Sequence, residues 1–76
     1  MSTFTKEQKK VEPYLRAEAT VMAVDGLSKM TAVAGLYASY NHFFSISETA
    51  KIYAQAQMGV EVAKEYEAQM LAGREL

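Results

Sequence analysis

The sequence predicts an all-α protein, a helical hairpin of two long helices over about residues 13–42 and 48–72. Apolar residues recur at spacings of three and four through both halves of the chain. A capping signature stands at the head of the second half, and no stretch alternates apolar and polar residues as a half-buried strand would.

The second half is the clearer of the two. Ser45-Ile46-Ser47-Glu48 has the form of a capping box, in which a hydroxyl accepts from a free amide one turn in and the glutamate reaches back; Ser47 is the alternative cap. Beyond it Ile52, Ala56, Gly59, Ala63, Tyr66 and Met70 share one face, while Lys51, Gln55, Glu61, Glu65 and Gln69 gather on the other. An amphipathic helix from about Glu48 to Ala72 follows, with Gly73 placed to end it.

In the first half Pro13 suits an opening helical turn, because it lacks the amide hydrogen that would be unpaired there. Residues 1–11 are then a frayed segment or a short turn capped by Thr5. Leu15, Ala19, Met22, Gly26, Met30, Val33, Tyr37, Tyr40 and Phe44 continue at helical spacing, which predicts one helix to about residue 42. Asp25-Gly26 is the opposing signal, a turn dipeptide whose glycine costs up to about 1 kcal/mol inside a helix. The alternative is therefore a compact three-helix bundle with a break near residues 25–28.

In the hairpin, Tyr37 falls near Tyr53, Ala34 near Ala56 and Met30 near Val60. Two helices alone cover little apolar surface, and the first is apolar over most of its circumference. That predicts a homodimer completing a four-helix bundle, or a hairpin docked on another protein. A three-helix monomer would cover the same surface internally.

With 76 residues the chain makes one domain, and half its residues are hydrophobic, enough for a folded state. It has no cysteine, which excludes a disulfide scaffold and points to a reducing, cytoplasmic setting. A net charge of -1 offers no broad attraction to nucleic acid or anionic lipid. The polar N-terminus does not read as a signal peptide. The least polar window, Ala19 to Phe44, is interrupted by Asp25, Lys29, Asn41 and His42, so no membrane insertion is expected.

Little in the sequence carries catalysis. His42 has no nearby cysteine or carboxylate and reads as a turn residue; Glu61, Glu65 and Glu67 lack the Glu-x-x-His pairing of di-iron bundles; the four glycines are isolated. We expect no enzyme activity, metal or cofactor. Ser45-Ile46-Ser47-Glu48-Thr49-Ala50-Lys51 resembles the opening of helix-turn-helix DNA-binding modules. The likeness ends there, since Ile52 to Met58 continue the helix, and Glu61, Glu65 and Glu67 stand where a recognition helix needs basic or amide side chains.

Tyr37, Tyr40, Phe43, Phe44, Ile46 and Tyr53 cluster near the expected turn. Tyr37, Phe44 and Tyr53 lie on the inward face; Tyr40, His42 and Phe43 are the candidate partner-binding residues. The sequence thus points to a small helical protein–protein interaction module, an adaptor, inhibitor or regulator. A DNA-associated regulator using Lys6, Lys9, Lys10 and Arg16, and a structural subunit of a larger assembly, are the alternatives.

Overall fold

The computed structural model describes residues 4–74 and contains three helices: α1 (Lys6–Val24), α2 (Lys29–Tyr40) and α3 (Ile46–Arg74). The single long helix expected over residues 13–42 is divided, so the three-helix arrangement is the one the chain adopts.

The first correction lies at the start of α1. Thr5, not the region of Pro13, sets it: the Gln8 amide donates to Thr5 Oγ1 at 3.2 Å and the Thr5 amide donates to Gln8 Oε1 at 3.0 Å, a reciprocal cap. Pro13 sits inside the helix. It gives up one bond, to the carbonyl of Lys9, in a stretch where both residues are exposed.

The second correction is the break itself. Asp25 closes α1, and Gly26 takes φ +78°, the left-handed conformation that only glycine adopts at no cost. Gly26 N–H donates to the Ala23 carbonyl at 3.2 Å and Leu27 N–H to the Met22 carbonyl at 3.2 Å, the paired bonds of a Schellman motif. Ser28 then caps α2 by accepting from the Thr31 amide at 3.2 Å. Together these satisfy groups that a continuous helix would have paired internally, and they outweigh the few tenths of a kcal/mol that an Asp25–Lys29 pair would add to continuity.

The capping box expected before the last helix is present. Glu48 N–H donates to Ser45 Oγ at 3.1 Å and Ser45 N–H to Glu48 Oε1 at 2.9 Å. Gly73 does not end α3, which continues to Arg74.

α1 and α3 run in the same direction. Near their starts, the Phe4 and Phe44 rings meet edge to face at 5.5 Å, and Gln8 Nε2 donates to the Phe43 carbonyl at 2.6 Å. Farther along, Thr20 and Val24 face Gly59 and Ala63 across a groove. α2 packs across the beginning of α3, where Met30, Val33 and Ala34 border Ile46 and Ala50. The hairpin register that placed Met30 near Val60 and Ala34 near Ala56 is therefore replaced.

The core is built from Leu15 and Ala19 of α1, Leu36 of α2, Phe44, and Ile52 and Tyr53 of α3, among others. Phe44 and Tyr53 are buried as their inward position predicted. The two buried hydroxyls are satisfied: Tyr53 donates to the Leu27 carbonyl at 3.3 Å, and Thr49 donates to the Ser45 carbonyl at 2.9 Å. Tyr53 thus ties the break between α1 and α2 to the middle of the core.

α3 outruns its neighbours. Its 29 residues span about 43 Å at the usual rise, against a longest molecular extent of 51 Å. Every residue from Glu61 to Gly73 is exposed.

Candidate functional site

The three residues singled out for partner binding lie in and beside the turn after α2, with different exposures. Phe43 is half-buried against the core, its amide donating to the Tyr40 carbonyl at 3.0 Å and its carbonyl held by Gln8. Tyr40 is also half-buried, and burial raises its phenol above the ordinary range; the neighbouring Glu18 carboxylate, as hydrogen-bond acceptor and as negative charge, adds to the effect. His42 is exposed. The turn therefore presents an exposed imidazole beside two half-buried rings packed against the core.

A larger apolar surface lies along the second half of α3. The face that carries Ile52 inward continues through Ala56, Gly59 and Ala63, beside the end of α1, to Tyr66 and Met70. Tyr66 is 64 % exposed and Met70 68 %. Arg16, Thr20 and Val24 of α1 form one wall of a groove of about 550 Å³, and Ala56, Gly59 and Ala63 form its floor. A second hollow, over Tyr66, Met70 and Leu71, shares Ala63 and Glu67 with the first, so the two form one surface. Lys64 and Glu67 stand on its rim.

Sequence periodicity identified this face but assigned it to the inside of a hairpin. The signal for its exposure was length: 29 residues in α3 against 19 in α1 and 12 in α2, once α1 and α2 are counted separately. Leaving large apolar side chains in water in a contiguous strip is unfavourable.

Three of the four basic residues considered for DNA contact sit at the other end, whereas Arg16 belongs to the wall of the groove. Lys6, Lys9 and Lys10 are exposed on the first turns of α1, while Arg16 is ion-paired with Glu12. Glu61, Glu65 and Glu67 are exposed along α3. Among the described residues no group of three His, Asp or Glu side chains is placed to hold a metal ion, and no helix is long and apolar enough to cross a membrane.

These features define a class, a small three-helix domain with one helix projecting beyond its body. No protein-family model matches the chain, and no curated protein or solved structure matches it significantly.

Proposed function

We propose that this chain is a protein–protein interaction module that works by packing a helical partner along α3, as an adaptor, inhibitor or regulator, and not by catalysis. The supporting observation is the uncovered strip from Gly59 to Met70, which continues a face the chain buries elsewhere. A helix docking there would lay its own apolar residues into a groove already walled by α1. Tyr40, His42 and Phe43 form a second, smaller contact at the opposite end.

The test is capture from the source cell with the tagged chain and two variants, helicity being followed in parallel by circular dichroism. Tyr66→Glu is expected to lose the partner while retaining the fold, because Tyr66 touches none of the core. The double variant Tyr40→Ala, Phe43→Ala assigns the turn: loss of partner with helicity kept makes it a contact surface, and equal loss of both makes it core. A partner retained by every variant refutes the reading.

A further inference from the structure

We infer that the occupant of the α3 groove is a second copy of this chain, its α3 lying antiparallel to the first. The inference rests on the helix-packing reading above and commits it to one partner.

Gly59 carries the first argument. It lies in the middle of α3, where glycine weakens a helix relative to alanine. A Cβ built there meets nothing within 4 Å, and the same holds at Gly73. By contrast, a Cβ at Gly35 would touch Met22 Cε at 3.9 Å. The chain's own packing therefore asks for no glycine at position 59. A second backbone or a large side chain seated over it does.

The order of sizes along the strip gives the second argument and selects the direction. Small residues come first, Ala56, Gly59 and Ala63, and large ones follow, Tyr66 and Met70. Their alternating spacing of three and four is that of a helix–helix seam. In antiparallel pairing Ala63 faces Tyr66 of the second copy and Gly59 faces its Met70, and symmetry repeats both layers. Every large side chain then meets a small one. Parallel pairing would set Tyr66 against Tyr66 and leave a void at Gly59.

Continuity supplies the third argument. The floor of the groove is the extension of the face that buries Ile52, and its wall is Thr20 and Val24 of α1. An incoming Met70 and Tyr66 thus contact both helices of the other copy. The result is two α3 helices flanked by the ends of two α1 helices, a four-helix arrangement with a two-fold axis. Lys64 and Glu67 stand on one flank of the seam, where they meet Glu67 and Lys64 of the second copy; exposed pairs of this kind select register more than they add affinity.

Sedimentation equilibrium is the primary test, with a mass expected to rise with concentration to twice 8.4 kDa. Ala63→Lys and Tyr66→Glu, both at exposed positions, should each remain folded and monomeric, and mixing the two should restore a dimer. Because the chain has no cysteine, Gly59→Cys mixed with Met70→Cys should give a crossed disulfide between the two variants under mild oxidation. A chain that stays monomeric at every concentration overturns the proposal, as does self-linkage of Gly59→Cys in preference to the crossed product, or a dimer indifferent to both charged variants. A monomeric chain that still loses its cellular partner on Tyr66→Glu separates this failure from failure of the helix-packing reading.

Discussion

Between Ile46 and Val60, α3 lies against α1 and α2 and buries Thr49, Ile52 and Tyr53; from Glu61 to Gly73 every residue of the same helix is exposed. The apolar spacing runs through both halves without a change. Periodicity therefore reports which face a helix would bury and says nothing about how far its cover extends. The two halves also owe their helicity to different causes. Tertiary burial fixes the first, whereas an isolated helix as short as the second is marginal in water. The second half is propagated from the first and assisted by good helix formers such as Ala63, Lys64, Glu65, Met70 and Leu71.

The contrast can be broken by matched substitutions. Tyr53→Ala removes a fully buried ring and is expected to cost about 3–5 kcal/mol, comparable with the whole stability of a domain this small; a denaturant titration should show loss of the cooperative transition. Gly26→Ala acts on the backbone alone, since a Cβ there meets nothing within 4 Å but the φ of +78° remains. We expect about 1–2 kcal/mol of destabilisation, read as a lowered thermal midpoint. Tyr66→Ala, the same chemical change as the first on the same helix, should alter the unfolding free energy of the dilute monomer by about 0.5 kcal/mol or less. A cost near that of Tyr53→Ala would show that the second half is covered within one chain.

The smallest effect is a pH dependence. The Tyr40 phenol titrates above its ordinary 10.0 in the folded chain, so the unfolded chain loses that proton first as pH rises. Stability from this group is intact below 10.0, falls as pH rises toward the folded value, and levels off above it. Comparing thermal midpoints of the wild type and Tyr40→Phe from about pH 9 to about pH 11 isolates the effect from the lysines: the wild-type midpoint should fall relative to that of the variant as pH rises, and a difference constant with pH would refute the shift.

Elements with complete local signatures were legible in the sequence. Ser45 and Glu48 stand at capping-box spacing and form that box; of the three aromatics expected inward, Phe44 and Tyr53 are buried and Tyr37 is half-buried. Pro13 misled because a proline suits a helix start, whereas α1 begins earlier, at the reciprocal cap of Thr5 and Gln8, and carries Pro13 in its interior. Asp25-Gly26 conflicted with the continuing apolar spacing, and the resolution lay in bonds that only the folded turn displays, from Gly26 and Leu27 back to Ala23 and Met22. Two helical segments separated by a break carry no local mark of their relative direction. The parallel pairing of α1 with α3 follows only once the break near residues 25–28 is granted, and the groove beside Gly59 had no signature in the sequence.

That pairing has a consequence during synthesis. Gln8 completes the cap of α1 and also grips the carbonyl of Phe43, 35 residues farther on, while Leu15 and Ala19 join a core that needs Ile52 and Tyr53. As the chain emerges, α1 is therefore made long before the helix that covers it and waits with its apolar side in solvent. Closure must then bridge the whole of α2, a non-local step that makes folding slower than in a bundle whose successive helices pair as they appear.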